Sequence, residues 1–286
     1  MSNTLNAFIR LCDLVIEDFV QDYNVPNRVT QVGNALEKFV KNLYANSFGL
    51  EEDIAKTKRK SCFSYCGNAK NPPDLILKAG DAIEIKKLEG IPSYLPLNSS
   101  HPKDYLYAND GRISGDCRSC EESPWVKKDM VYVIGSVDKQ DTKKLKGLWF
   151  VYGNCYAANK EVYEKSFNSV KSVLDSSEDV NSSETRELGR LNNVDPLEAT
   201  YLRVRGMWHI KHPQQVFNSL NLDINSDFFA HVIVTKEKFD SFPLEDRNLL
   251  DEILSKNTNV QKREVKIDNP NNPAKDLTAI ILSLSK

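Results

Sequence analysis

Apolar and polar residues alternate along this chain with two different periods. Near the N-terminus, apolar residues recur every three to four positions at Phe8, Leu11, Val15 and Phe19, which predicts an amphipathic helix over about residues 5–20. The same period predicts a second helix over residues 31–43, after a polar turn at 24–28. Further helices are predicted at 159–174, 236–242 and 244–254.

A second class of segment is short, apolar and rich in β-branched and aromatic residues, which predicts strands. The central strands are expected at residues 129–137, 147–152 and 230–235. The apolar run 277–284 fits either a strand or a docking helix, and the serine-rich, acidic residues 175–184 fit an exposed loop. The order helix, β-meander, helix predicts an α/β fold with a central mixed sheet flanked by helices.

One predicted hairpin carries charges on a single face. Side chains alternate along a strand, so Ile83 and Ile85 point to one side while Glu84 and Lys86 share the other. A glycine–aspartate turn folds a preceding apolar run back against this strand, which brings Asp74 near Glu84 or Lys86. The sequence therefore predicts two carboxylates and an ammonium group in one place.

These three groups fit hydrolysis of a phosphodiester with a divalent metal. Mg²⁺ takes oxygen ligands, usually one or two carboxylates with water and substrate phosphate, and Asp74 and Glu84 offer such ligands. A lysine such as Lys86 orients the attacking water and neutralises the phosphate. The alternative is an exposed hairpin with ordinary surface charges, because the short pattern is common by chance.

Length and composition set broad limits. The 286 residues can form one large α/β domain or two small ones. No stretch approaches the roughly 20 apolar residues of a membrane span, and the N-terminus lacks an export pattern, so a soluble cytoplasmic protein is expected. In a reducing compartment, the six cysteines read as thiols or metal ligands before disulfides.

Motifs along the chain match those of one nuclease family. Pro73-Asp74 with Glu84-Ile85-Lys86 matches the PD-(D/E)XK nuclease signature. With the segments given next, the sequence resembles the NgoPII family of type II restriction endonucleases, within the PD-(D/E)XK nucleases. The further matching segments are CFSY at 62–65, GN at 67–68, NPPD at 71–74, GDA at 80–82, KK at 86–87, LNSS at 97–100, PK at 102–103, LWFVYG at 148–153, CYAA at 155–158, ELGR at 187–190 and YLRVRGMW at 201–208. The similarity runs from about residue 30 to about residue 235.

The resemblance implies a magnesium-dependent enzyme that cuts both strands of duplex DNA at the palindrome GGCC, leaving 5′-phosphate and 3′-hydroxyl ends. It implies catalytic roles for Asp74, Glu84 and Lys86, and metal ligation by Asp74, Glu84 and Ile85. Many such nucleases add an acidic residue from the preceding helix. Glu37 is the best-placed candidate, with a solvated surface group as the alternative.

It also implies one restriction-endonuclease domain over 1–286, built on a PD-(D/E)XK core. The N-terminal helices would occupy 1–50, the catalytic core 60–174, and the DNA-recognition and C-terminal elements 186–286.

Contacts to DNA must be local, because the net charge is -2. On a predicted strand over 200–207, Arg203 and Arg205 share one face with Tyr201, and such guanidinium groups suit guanine O6 and N7. Together with Arg190 they form the first candidate DNA surface. The alternative is that these arginines pair with acids or phosphates without reading sequence.

A second candidate DNA surface is the polar loop after the hairpin, with Asn98, Ser99, Ser100, His101 and Lys103. These residues could equally close turns. The basic run at 56–60 is a further candidate, or only a solvated face.

Four cysteines allow a structural zinc site. Cys117 and Cys120 have the spacing of a zinc knuckle, and Cys62 and Cys66 would complete the tetrahedron, with independent thiols as the alternative. Cys155 and Cys12 lie in apolar contexts typical of a core.

A palindromic site is two-fold symmetric, so a homodimer with one active site per strand is expected. The stripe of the first helix would serve either the core or a partner. Two alternatives to the restriction enzyme remain: a repair or structure-specific nuclease of the same fold, and a non-catalytic, zinc-stabilised DNA-binding module.

Overall fold

A mixed β-sheet with helices packed against it forms the centre of the computed structural model, which describes residues 2–15, 30–68, 71–90, 92–138, 141, 144–176, 188–191, 194–197 and 199–286. The helices are α1 Thr4–Asp13, α2 Thr30–Ala45, α3 Glu52–Cys62, α4 Gly115–Arg118, α5 Lys160–Asp175, α6 Pro213–Val216, α7 Lys236–Asp240 and α8 Leu244–Lys256. This architecture confirms the predicted α/β class with a central mixed sheet.

The strands are β1 Phe63–Asn68, β2 Asn71–Leu77, β3 Ala82–Glu89, β4 Tyr94–Asn98, β5 Tyr105–Tyr107, β6 Lys127–Val137, β7 Leu145–Tyr152, β8 Gly189–Leu191, β9 Leu202–Val204, β10 Trp208–Lys211, β11 Phe229–Thr235, β12 Val260–Ile267 and β13 Leu277–Ser285. The main sheet has the order β1-β2-β3-β6-β7-β11-β13-β12, and β5 pairs with β6. Its β3–β6 and β7–β11 pairs are parallel, and the other pairs are antiparallel. Two small ribbons, β4–β10 and β8–β9, lie outside it.

Helix α2 covers one face of the sheet near β3 and β6. Its side chains from Ala35 to Leu43 are buried at helical spacing. Gly135 of β6 permits the approach, because a Cβ there would lie 2.7 Å from the methyl groups of Leu36. Gly135 pairs with Lys87, so α2 lies on the face that carries Ile83 and Ile85. Glu84 and Lys86 belong to the opposite face.

The first predicted helix is shorter than its pattern. Helix α1 ends at Asp13, and the cap residue Leu14 is already extended, so the prediction beyond residue 13 is wrong for the described part. Phe8 and Leu11 are fully buried, which confirms the core use of the stripe, whereas Val15 is exposed. Residues 16–29, including Phe19 and the predicted turn at 24–28, lie outside the described residues.

Helix α3 and strand β12 are among the elements that the sequence pattern does not predict. Helix α3 buries only Ala55, and edge strand β12 is charged and mostly exposed, so neither shows a strong apolar period. Run 277–284 is resolved as strand β13. Helix α5 forms as predicted but buries none of its side chains. The predicted loop at 175–184 lies outside the described residues from residue 177 onward.

Among the described residues, we find no helix with the length and apolarity that crossing a membrane requires.

Candidate active site and nucleic-acid interface

The predicted hairpin forms, and its two strands cease to pair next to Asp74, which leaves an opening between them. Strands β2 and β3 pair at Leu75 with Ile83 and at Ile76 with Ala82. Beyond these pairs, the Ile85 N–H donates a hydrogen bond of 2.6 Å to Oδ2 of Asp74. A side-chain carboxylate thus accepts where a strand carbonyl would otherwise do so, and this bond holds Asp74 next to β3.

Glu84 and Lys86 point to the same side of β3, as the alternation predicts. Lys86 Nζ lies 2.8 Å from Glu84 Oε1, and the two side chains are 20% and 15% exposed. The second carboxylate oxygen, Glu84 Oε2, is buried and has no hydrogen-bond partner among the described residues. A buried acceptor of this kind is costly unless something else satisfies it.

The electrostatics show an excess of negative charge at this opening. Burial and the charge of Glu84 raise the pKa of Asp74 to about 7, against the opposing effects of the Ile85 N–H and Lys86. For Lys86, burial lowers the pKa, but the charges of Glu84 and Asp74 outweigh burial and leave the pKa raised. Lys86 is therefore a cation at neutral pH, and Asp74 is partly protonated and partly ionised there.

Glu37 lies beside this group rather than in contact with it. Its carboxylate is 2.5 Å from Lys41, one helical turn along α2. Its charge is a minor influence that raises the pKa of Asp74. Sequence reasoning missed Lys41, although its position four residues after Glu37 is the signal of a helix ion pair. Ile85 packs its side chain against the core and offers a ligand only its main-chain carbonyl.

The polar loop after β4 lies over the same face as Glu84. Asn98 ends β4 with a left-handed backbone, φ +53°, and Asn98 and Ser99 are exposed. Ser100 and Glu84 line one pocket. The prediction that this loop adjoins the hairpin is therefore consistent with the structure.

Lys103 is largely enclosed, although it lines the same small pocket as Ser100 and Glu84, and its DNA contact stays a prediction. Its side chain is only 4% exposed, and its ammonium group is bound to Asp110. The preceding His101 is buried as well, with its ring stacked on Tyr163 at 5.3 Å between centroids. Burial lowers the pKa of His101 to about 4, so this ring is neutral at physiological pH. The loop therefore turns inward after Ser100.

Arg190 and Arg203 lie on the β8–β9 ribbon, and Arg205 directly follows β9; we call these three residues the arginine ribbon. Arg190 and Arg203 are paired across it, and Arg203 and Arg205 are exposed. The guanidinium of Arg190 lies over the Tyr201 ring, 4.1 Å from its centroid. The predicted strand over 200–207 is shorter in the structure, as β9, and Arg205 lies beyond its end.

The arginine ribbon and the polar loop are joined through β10. Gly206 follows Arg205, and Trp208 of β10 pairs with Asn98 of β4. A Cβ at position 206 would meet Leu188 at 3.4 Å and Phe167 at 3.5 Å, so the chain passes close to α5 here. The two candidate DNA surfaces are therefore neighbours, and the loop connects them to the carboxylates.

The cysteines do not form the predicted zinc site. Throughout the described ranges, no three or more His, Cys, Asp or Glu side chains are grouped to hold a metal ion. Cys62 ends α3, and Cys66 lies on β1. Cys117 is buried, and Cys66 is exposed. Independent thiols, the alternative assignment, fit these positions. Cys12 and Cys155 are buried, as expected of core residues.

Comparison with known proteins identifies the family. The family model described as NgoPII restriction endonuclease matches residues 2–268. The type II restriction enzyme NgoPII of Neisseria gonorrhoeae is 41% identical over 277 residues, which cover 96% of this chain and 96% of that protein. No solved structure matches the chain. Both the family model and the relative cover the hairpin and the arginine ribbon, and the chain therefore belongs to the NgoPII family of type II restriction endonucleases.

Proposed function

We propose that this type II restriction endonuclease hydrolyses both strands of duplex DNA at a short palindrome with Mg²⁺, leaving 5′-phosphate and 3′-hydroxyl ends. The observation that carries the proposal is the meeting of Asp74, Glu84 and Lys86 where the β2–β3 ladder opens. A PD-(D/E)XK core is the corresponding fold assignment, because that signature requires two carboxylates and a lysine on such a hairpin.

The donor set fits Mg²⁺. This ion binds through one or two carboxylates and keeps several waters, and Asp74 and Glu84 supply two carboxylates. The buried, unpartnered Glu84 Oε2 is an oxygen that a cation would satisfy, and the Ile85 carbonyl is the proposed third ligand. A bound divalent ion supplies an acidified water and positive charge at the phosphate.

The protein's own groups have separate roles. Lys86 stays protonated at neutral pH, so it acts as a cation that orients the attacking water and neutralises the phosphate, rather than as a proton acceptor. Asp74 must lose its proton to ligate, and its raised pKa makes ligation depend on pH near neutrality. Glu37 acts through its charge and through Lys41.

Recognition is assigned to the ribbon and the loop. Arg203 and Arg205 are exposed and suit guanine O6 and N7, and Arg190 is braced by Tyr201. Asn98, Ser99 and Ser100 contact base edges or phosphates beside the cut. The proposed target is GGCC, as the family resemblance implies. A two-fold symmetric target is matched by a homodimer, with one active site for each strand.

Plasmid cleavage by four variants tests the proposal. Asp74→Asn, Glu84→Gln and Lys86→Ala should each lose at least about 100-fold in rate with Mg²⁺, and chelation should stop the wild type. The control Glu122→Gln removes a carboxylate at an exposed position and should cut normally. Discrete fragments set by GGCC are expected. A smear, or full activity in any of the three site variants, would contradict the proposal.

A further inference from the structure

A basic groove lies where helices α2 and α3 meet edge strand β1. Four cationic side chains line it, and the floor is made by β1. The groove encloses about 290 Å³, and its lining residues are Lys41, Lys56, Arg59, Lys60, Phe63, Ser64, Tyr65 and Cys66. We use the name basic groove for this set.

The charge in the basic groove is partly unneutralised. Lys41 is paired with Glu37, and Arg59 is paired with Glu52, whose side chain is 69% exposed. Within the described part of the chain, Lys56 and Lys60 form no ion pair, and both are exposed. The Arg59 side chain is 17% exposed and also donates a hydrogen bond to Asn42, so only the Glu52 side of this pair is open to solvent. In a chain of net charge -2, this concentration of positive charge is a local feature.

The spacing of the groove suits a polyanion. Lys56 and Lys60 are four residues apart on α3, which places them one turn and about 6 Å apart along the helix axis. Successive phosphates of one DNA strand advance about 3.4 Å along the duplex axis. Two lysines on one helical face can therefore reach neighbouring phosphates of a strand that runs along α3.

The groove flanks the catalytic carboxylates on the side away from the arginine ribbon. Its strand β1 is paired with β2, which carries Asp74, through Cys66 and Leu75. Lys41 comes from α2, on the sheet face opposite Glu84. The polar loop and the ribbon lie on the Glu84 side. DNA that passes the carboxylates and continues past edge strand β1 would reach the basic groove.

We infer that the basic groove binds the sugar–phosphate backbone of DNA that flanks the recognition sequence, an inference that rests on the proposed function. Lysines on an exposed helix face contact phosphates and carry no base readout. The groove therefore adds affinity that is independent of sequence and depends on duplex length. It leaves the choice of GGCC to the ribbon and the loop.

Salt dependence of binding tests the inference. In an Asp74→Asn background that prevents cutting, the dissociation constant is measured against salt for a 10-base-pair and a 40-base-pair duplex with central GGCC. The double variant Lys56→Gln/Lys60→Gln should flatten the log–log slope on the long duplex by about 1.8, or about 0.9 per lost phosphate contact. The short duplex should show no change, and Lys56→Arg/Lys60→Arg should keep the original slope.

The control Lys262→Gln/Lys266→Gln removes the same charge from β12, at the opposite edge of the sheet. It should leave both slopes unchanged. The inference is overturned if the groove variant keeps the full slope on the long duplex, or if the β12 variant reduces it equally. Plasmid cleavage is measured separately with enzyme that keeps Asp74. A protein that never cuts refutes the proposed function. Normal cutting together with an unchanged salt dependence of binding refutes only the inference about the basic groove.

Discussion

Replacing Asp74 by Asn is expected to stabilise the metal-free protein, although it removes a proposed catalytic carboxylate. In the folded state, burial and the neighbouring Glu84 raise the pKa of Asp74 to about 7, from an ordinary value of 3.8. The surroundings therefore make the ionised form of Asp74 less favourable in the folded state than in the unfolded state. An Asn side chain carries no charge, and its carbonyl oxygen can still accept the hydrogen bond from the Ile85 N–H.

The pKa values fix both the sign and the size of this effect. Because the folded pKa lies above the unfolded one, the folded protein loses stability as pH rises from 3.8 to 7, and the loss is complete above pH 7. A shift of about 3 units corresponds to about 4 kcal/mol at 1.36 kcal/mol per unit. Partial solvation of the site reduces this, so we expect a gain of about 2 to 4 kcal/mol for Asp74→Asn at pH 8.

Urea unfolding in the presence of a chelator measures this gain at pH 8, 6 and 4. The gain should shrink as the pH falls and vanish near pH 4, and Asp276→Asn, at an exposed position, should show none. Adding Mg²⁺ at pH 8 should stabilise the wild type more than Asp74→Asn. Equal or lower stability of Asp74→Asn at pH 8, or a gain that does not change with pH, would refute the reasoning.

Three further substitutions probe the frame around the site. Gly147→Ala should destabilise the protein by about 1 to 3 kcal/mol in urea unfolding, because the new Cβ would lie 2.2 Å from the Phe229 ring; an unchanged midpoint would contradict this. Lys238→Met should lower the free energy of unfolding by roughly 3 kcal/mol, because it removes the ammonium group that lies 2.8 Å from the buried Asp81 carboxylate. A decrease no larger than that of its control variant would contradict this. Burial lowers the pKa of His231 in the folded state to about 4, below the unfolded value of 6.5, so the free energy of unfolding should fall by up to about 3 kcal/mol as pH drops from 6.5 to 4. In a series of unfolding curves at different pH, His231→Gln should weaken this dependence. An equally steep dependence in the variant would contradict the prediction. The matched controls are Gly111→Ala and His209→Gln at exposed positions and Lys236→Met, whose side chain is 45% exposed.

The hairpin was predictable because its information is local. Strand alternation alone places Glu84 and Lys86 on one face and Ile83 and Ile85 on the other, and the short turn determines which residues pair. The same rule predicts that Arg203 and Arg205 share one face, and both are exposed. Where a feature depends on neighbours in sequence, the pattern of residue types is sufficient.

Features that depend on pairing in three dimensions are not visible in the sequence. The residue types around Lys103 do not show that its ammonium group pairs with Asp110 and is buried. The closeness of the loop to the arginine ribbon depends on the pairing of Asn98 with Trp208, which are more than a hundred residues apart. Helix α3 has almost no apolar stripe, so its basic residues gain meaning only from their position beside β1.

The most direct test is end mapping of a sequenced plasmid after digestion with Mg²⁺. We expect every break to fall at one position within GGCC on both strands, with 5′-phosphate and 3′-hydroxyl ends, and Lys86→Ala to yield none. Breaks scattered over unrelated sequences, or the same ends from Lys86→Ala, would contradict the account.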